Sequence, residues 1–409
     1  MDRMNYEIER LSLHADGVAH GPEGTVHVAM ALPGEVVEGE VEDGRIAQPK
    51  VVTPSSERVK APCPHYRSCG GCVMQHASEG FTAEWKMDVV RQALSARGLS
   101  VPEMTISTSP LHSRRRATFS GRRTKKGTLV GFHARASDTV VEIPHCLILR
   151  PELLAVVPLL NEATALAGSR KGEIAFAVTL SEAGLEIAAS GGKDPDPAQF
   201  ETLSGLAREH DLARLSWNDE IIAARRPTIQ RFGKAQVVPP PGAFLQATHH
   251  GEAALVAFAK AAVGSAQRVA DLFAGCGTFA LPLAEQAEVH AVEGSAAMID
   301  ALDQGWRQAQ GLHRITSETR DLFRRPLLPD ELATFDAVVI DPPRAGAQAQ
   351  IAEIATSPLP RLIHVSCNPV TFARDAETLI KAGFTLEKLL VVDQFRFSAH
   401  VELAALFTR

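Results

Sequence analysis

The sequence predicts an α/β protein: an open, mostly parallel sheet in the last third, preceded by a small OB-like β-barrel and a central α+β region. Three observations carry that expectation. Beyond Arg268, short apolar runs at 269–273, 289–292, 337–340 and 362–365 alternate with segments of helical or loop length, the pattern of a parallel sheet covered by helices on both faces. Polar motifs follow three of those runs directly, where open α/β sheets place their chemistry. The first 55 residues alternate short apolar stretches with glycine and proline instead, the rhythm of short strands and turns.

A length of 409 residues exceeds what one core usually serves. Three units are expected: a barrel over 1–55, a cysteine-bearing loop with the central α+β region over 56–240, and the sheet domain over 241–409. An apolar content of 45% and a charged content of 22% are ordinary for a globular protein. The net charge of −6 gives no global attraction to nucleic acid, so binding of that kind needs a local basic patch. The opening MDRMNYEIER has no apolar leader core, and no stretch approaches the roughly 18 apolar residues of a membrane span. These features point to a cytoplasmic chain without a membrane partner, and its six cysteines to metal or catalysis rather than disulfides.

Along the chain, apolar pieces at 17–19, 24–28, 32–37 and 38–41 supply the barrel strands. Such a barrel either binds RNA or caps its neighbour. Residues 52–64, with three prolines, read as a linker. A helix is expected over 84–97, with alternating stretches at 128–132 and 173–178. Pro239-Pro240-Pro241-Gly242 breaks the chain before Phe244-Leu245-Gln246 and a helix-like stretch at 251–262. A final pair, 389–392 and 400–407, is expected to close the sheet as an antiparallel edge.

Asp271-Leu272-Phe273-Ala274-Gly275-Cys276-Gly277-Thr278 follows the first run of the sheet. Gly275 and Gly277 let the backbone turn and approach a ligand with no Cβ in the way, and the helix that follows offers its amino end. Cys276 is a small filler. Glu293, about twenty residues on, ends the next run and suits two ribose hydroxyls; its bland alternative is a solvated strand end. The third glycine of a dinucleotide site is missing, so the pair describes a nucleoside cofactor without a pyrophosphate.

Cys367 lies in Ser366-Cys367-Asn368-Pro369 after the 362–365 run, and Asp341-Pro342-Pro343-Arg344 after the 337–340 run. A lone cysteine after a strand is more often inert core. With three motifs on one cleft, a nucleophilic thiol beside a bound cofactor becomes the better reading.

Cys63, Cys69 and Cys72, spaced C-x5-C-x2-C around Gly70 and Gly71, with Cys146 farther on, form a four-thiol set. Zinc, an iron-sulfur cluster and plain reduced thiols all fit it. Between 112 and 126 stand Arg114, Arg115, Arg116, Arg122, Arg123, Lys125 and Lys126 with no acidic residue. This run is either a solvated face or, pinned between the cysteines, a basic wall for RNA. Phe119 and Phe132 are the nearest aromatics for stacking.

D-L-F-x-G-x-G-T-F, Glu293 and D-P-P together resemble class I S-adenosylmethionine-dependent methyltransferases, which implies a Rossmann-like C-terminal domain. Amino-group methyltransferases of that class favour an aromatic residue after the two prolines, where this chain has Arg344. With S-C-N-P and the terminal His400-Val401-Glu402, the pattern resembles the RNA uracil-5-methyltransferase family. The resemblance implies Cys367 as nucleophile on uracil C6 and Glu402 as the base that removes the C5 proton. It implies a cofactor and uracil pocket of Gln246 (from F-x-Q), Phe273, Gly275, Gly277, Thr278, Glu293, Asp321 and Asp341. Thr278 stands where members often have Asn, and Asp321 has a turn-capping role as its alternative. Arg344 would hold a base or phosphate. Covalent addition is needed because uracil C5 is a weak nucleophile, and a partly ionised thiol is expected.

The N-terminal segment is similar to a TRAM domain. The ribosomal-RNA branch of the family carries a 4Fe-4S cluster on the same cysteine arrangement. Taken together, these imply an S-adenosylmethionine enzyme with a 4Fe-4S cluster acting on RNA, 23S ribosomal RNA before tRNA, with no DNA partner and a monomeric state. A non-catalytic RNA-binding or assembly factor on the same fold is the rival from another class.

Overall fold

The computed structural model describes residues 4–409. Two small sheets form the amino-terminal part. Asn5–Glu7, Val36–Glu38 and Lys50–Thr53 make one; Arg10–Leu11, Gly17–Gly21, Gly24–Val28 and Arg45–Ile46 make the other. They share a core of Tyr6, Ile8, Val26, Val28, Val37 and Ile46. Glu35, fully buried, accepts from the Leu32 amide at 2.8 Å and pairs with Arg58, which fastens this part to the chain that follows.

The central part is a seven-stranded sheet. Its order is Val140–Val141, Thr128–His133, Arg116–Arg123, Glu173–Ser181, Gly184–Ser190, Arg214–Trp217 and Glu220–Ala224. Phe119, Phe176 and Trp217 are buried in its core with Leu160 and Leu203 of the helices Val157–Ala167 and Pro197–Glu209. Phe119 has no exposed surface and packs on Phe132 with ring centroids 5.3 Å apart. Of the two nearest aromatics for stacking, Phe119 is therefore unavailable to RNA, because it points inward on its strand and belongs to the core, while Phe132 is partly exposed.

The third sheet has eight strands, in the order Ile315–Thr319, Glu288–Glu293, Arg268–Leu272, Ala337–Ile340, Arg361–Ser366, Glu402–Thr408, Thr385–Asp393 and Met104–Thr108. The first five run parallel to one another. Glu402–Thr408 is antiparallel to both its neighbours. The C-terminal pair is not the sheet edge, because Met104–Thr108 adds outside it, parallel to Thr385–Asp393. Leu389, Val391 and Val392 are buried, so that strand needs cover, and the half-exposed Met104–Thr108 suits an edge. The helix expected over 84–97 is Glu79–Ser95, started by Ser78, whose hydroxyl accepts from the Phe81 amide at 3.1 Å. It packs against the helix Pro369–Lys381.

From Arg268–Leu272 the sheet grows outward to Glu288–Glu293 on one side, and Ala337–Ile340 lies on the other. The loops leaving these strands separate there, opening the crevice in which doubly wound sheets bind ligands. Among the described residues, no helix is long and apolar enough to cross a membrane.

Candidate active site

The loop after Arg268–Leu272 forms one wall of the crevice. Phe273 has φ 61° and Gly275 φ 57°, a left-handed backbone that costs a side-chain-bearing residue energy and glycine little. A Cβ on Gly275 would meet nothing within 4 Å, so open space lies before the loop. Gly277, at φ 98°, is different: a Cβ there would lie 2.7 Å from Leu281 Cδ1. The helix that follows, Ala280–Leu283, is a single turn and offers little of the expected dipole.

Glu293 ends its strand with both oxygens engaged. Gly275 N–H donates to Oε2 at 3.1 Å and Ser295 N–H to Oε1 at 3.0 Å. The carboxylate is aimed by these bonds and keeps a lone pair on each oxygen for a diol. Phe273 faces Phe323, half exposed, across 5.4 Å. Asp321 Oδ1 accepts from the Phe323 amide at 3.0 Å. Thr278 sits half-buried at the end of the glycine loop, and Cys276 is buried as filler.

Asp271, beneath the loop, has no exposed surface and no hydrogen-bond partner of good geometry on either oxygen. Burial pushes its carboxyl far up, and the charges of Asp341 and Glu293 push the same way. The carboxylate of Glu293, aimed from its strand end, and that of Asp341 fit a ligand bearing positive charge and donor groups. S-adenosylmethionine, with its sulfonium and ammonium, has that chemistry.

Opposite stand the loops of Asp341 and Cys367. Asn368 caps the helix Pro369–Lys381 through its Oδ1 on the Val370 amide, 3.1 Å, and donates from Nδ2 to the Arg344 carbonyl, 3.1 Å. One side chain thus ties the two loops together, leaving the Arg344 guanidinium exposed. Cys367 is half-buried. Burial pushes its thiol up, the charges of Glu402 and Asp341 add to that, and Arg344 works in the opposite direction. Burial is the largest of these influences, and it opposes the expected partial ionisation.

Glu402 opens the last strand, 4% exposed. It accepts from Gln394 Nε2, which also donates to Gln246 Oε1 at 2.6 Å. Gln246 Nε2 donates in turn to Asp341 Oδ2 at 3.2 Å. Burial raises both Glu402 and Asp341 above the ordinary carboxylate range, and the charge of Asp341 adds to the shift of Glu402. A raised carboxyl beside a thiol is the arrangement expected of a proton acceptor poised near neutral pH. Gln246, Asp341, Cys367 and Glu402 are therefore brought together at neighbouring strand ends.

The four predicted metal-ligand thiols, Cys63, Cys69, Cys72 and Cys146, line one cavity together with Arg114 and Arg396, and none is in a disulfide. Burial raises Cys69, Cys72 and Cys146, Cys72 to about 12, and the neighbouring thiols add to it. Gly71 N–H approaches Cys69 Sγ at 3.4 Å. Among the described residues, no group of three His, Cys, Asp or Glu is gathered as a single-ion site.

The basic run does not form one wall. Arg115 is fully buried, paired to Glu252 at 2.5 Å and bonded to the Gln246 carbonyl at 3.2 Å and His249 Nδ1 at 2.6 Å. Its expected RNA contact is corrected: its partner lies 137 residues away, so the arginine braces Gln246 from behind. Arg114 stacks on Phe395 and Arg116 on Phe244. Arg122, Arg123, Lys125 and Lys126 lie along the strand and its hairpin tip, roughly 20 Å or more from Arg116 at strand spacing.

Three residues escaped sequence reasoning. Gln394 and Lys86 are buried polar residues whose partners are distant in sequence. Phe244 is 61% exposed; it belongs to the F-x-Q element, and its adjacency to Gln246 was an available signal.

An open sheet of this order, with a glycine loop facing an acidic strand end, defines an S-adenosylmethionine-dependent methyltransferase of the Rossmann-like class. Residues 239–409 match the family model described as tRNA (Uracil-5-)-methyltransferase. A protein called an uncharacterized RNA methyltransferase from Brucella suis is 43% identical over 98% of this chain and 97% of its own length. The 23S rRNA (uracil(1939)-C(5))-methyltransferase RlmD of Chromohalobacter salexigens is 34% identical over 98% of this chain and 88% of its own. A tRNA (uracil-54, C5)-methyltransferase of Pyrococcus abyssi, solved with S-adenosyl-L-homocysteine, has the same fold: TM-score 0.78, 20% identity, 100% of both chains covered. The chain belongs to the RNA uracil-5-methyltransferase family and uses S-adenosylmethionine as its methyl donor.

Proposed function

We propose that this protein methylates C5 of a uridine in 23S ribosomal RNA, with Cys367 as nucleophile and Glu402 as base. The observation that carries the reading is the hydrogen-bonded Asp341–Gln246–Gln394–Glu402 chain, whose end lies next to Cys367 because Ser366 pairs with Leu403 across adjacent strands. Bound S-adenosylmethionine would supply an electrophilic methyl group, cradled by Phe273, Gly275, Gly277, Thr278, Glu293, Asp321 and Asp341. Cys367 gives its proton to solvent and adds through sulfur to C6, and the ring electrons move onto O4. The resulting enolate carbon, C5, takes the methyl group. Glu402 then accepts the C5 proton, the C5–C6 double bond re-forms, and the C6–S bond breaks to release the thiolate. Gln246 offers both a donor and an acceptor for a uracil edge.

The target base has to leave its stack to reach Cys367. Arg344, Arg114, Arg116 and exposed Phe244 would serve as phosphate contacts and a stacking platform; Arg122, Arg123, Lys125 and Lys126 would meet RNA farther out. Cys63, Cys69, Cys72 and Cys146 would hold a 4Fe-4S cluster. Four neighbouring, partly buried thiols cannot all ionise without a compensating cationic core. The amino-terminal sheets are read as a TRAM-like domain over 1–55, followed by the cluster and central region to 240 and the methyltransferase domain from 241. The whole is placed in the cytoplasm as a monomer.

The ribosomal substrate is favoured because the RlmD relative aligns over 98% of the chain, cysteine loop included, whereas the tRNA-described family model covers only 239–409. Mass spectrometry of 5-methyluridine in separated 23S RNA and tRNA, from cells with and without the protein, tests it. Loss confined to 23S RNA is expected; loss from tRNA alone moves the substrate to tRNA, and no loss in either pool removes the reading.

A further inference from the structure

Gln394, 2% exposed, begins the loop between the strands Thr385–Asp393 and Glu402–Thr408. Its amide is held on every side. Oε1 accepts from the Ala247 amide at 2.9 Å, and the two Nε2 hydrogens go to Gln246 Oε1 and Glu402 Oε2. The opposite amide orientation would set a carbonyl against a carboxylate, so the hydrogen bonds fix the assignment. Gly251 leaves the room it needs: a Cβ there would come 2.7 Å from Gln394 Cβ.

The loop is itself clamped. Lys86, fully buried in the helix Glu79–Ser95, reaches Asp393 Oδ1 at 2.5 Å, the Phe395 carbonyl at 3.2 Å and the His400 carbonyl at 3.0 Å. An ammonium has three hydrogens, and here each has an acceptor. Both ends of the segment carrying Gln394 and Glu402 are thereby fixed.

We propose that Gln394 is a positioning residue for the proton-removal step, a rigid bridge that aims the Glu402 carboxylate relative to the uracil edge held by Gln246. The inference rests on the roles given above to Cys367 and Glu402. Gln394 touches neither uracil nor cofactor; it acts through its two neighbours. Its donor also favours the ionised form of Glu402, the form that accepts a proton.

The step-specific consequence is accumulation of the methylated Cys367–RNA adduct, because elimination waits for the C5 proton. The test compares full-length wild type, Gln394→Met and Glu402→Gln, each carrying whatever cluster it purifies with. The probe is 23S RNA labelled with 5-tritiated uridine, prepared from cells lacking the protein. Denaturing gels read the adduct, and tritium release reads proton removal. Glu402→Gln is expected to accumulate adduct. Gln394→Met, similar in volume without donors, should accumulate the same adduct and slow release roughly tenfold to a hundredfold, the effect of one hydrogen bond to a charged group. Its S-adenosylmethionine Kd and RNA KM should stay within about twofold of wild type. Activity lost without adduct, in parallel with weakened cofactor binding, overturns the proposal. No adduct even in Glu402→Gln sinks the underlying assignment instead. Should Gln394→Met not fold, Gln394→Asn, which keeps the amide on a shorter arm, carries the same comparison.

Discussion

Lys86 and Asp393 are 307 residues apart in sequence and 2.5 Å apart in the fold, with side-chain exposures of 0% and 2%. Removing one member of so buried a pair leaves an uncompensated charge. Lys86→Met should lower unfolding stability by about 3–5 kcal/mol in chemical denaturation. Lys86→Met/Asp393→Leu should recover most of it while the loop loses its anchor. A single variant as stable as wild type would show that the pair does not form.

The Cys367 thiol is held protonated by burial and by two carboxylates. Peptide-resolved iodoacetamide labelling of the free protein should give Cys367 an ionisation midpoint above the ordinary value of about 8.5. Glu402→Gln should move that midpoint down, because a negative neighbour is gone. A midpoint below 8.5 in the wild type would contradict the electrostatics.

Glu402 and Asp341 have raised pKa values in the fold, so the unfolded chain releases those protons first. Their contribution to stability is complete below the unfolded carboxylate value and is lost as pH rises through the folded one. Glu402→Gln should therefore stabilise the protein at pH 8 and do little near pH 4. Thermal melts across that range check the sign, and an advantage that grows toward low pH would refute it.

Anaerobic purification should yield about four irons and four sulfides per chain. Cys69→Ala or Cys146→Ala should lose the visible absorption along with the iron. One tightly held zinc per chain would replace the cluster assignment.

Phe244 stacks with Arg116 and stands two residues before Gln246, whereas Lys125 and Lys126 sit at a hairpin tip. Phe244→Ala should weaken RNA binding by about 1–3 kcal/mol with little change in S-adenosylmethionine binding. Lys125→Ala/Lys126→Ala should cost less and chiefly flatten the salt dependence. Filter binding at several salt concentrations separates the two.

What the sequence revealed and concealed follows from the range of each interaction. Glu293, Asp341 and Cys367 were readable because strand ends mark themselves locally, by an apolar run that stops at a polar residue. Arg115 was misread because its neighbours Arg114 and Arg116 suggested a surface, while its real partner, Glu252, comes from another part of the fold. Strand alternation sends adjacent side chains to opposite faces, and a run of like charge hides that. Gln394 and Lys86 gave no local signal, since a buried amide or ammonium is identified only by acceptors that folding brings to it.

The outermost strand of the catalytic sheet comes from 104–108, far upstream of the matched region 239–409. A fragment starting at 239 would therefore carry an open seam. Its Thr385–Asp393 strand would show bare amides and carbonyls along one side, an invitation to pair with another chain. Trimming to the part that bears the chemistry would yield a sticky product, and a usable minimal enzyme has to begin upstream of Glu79.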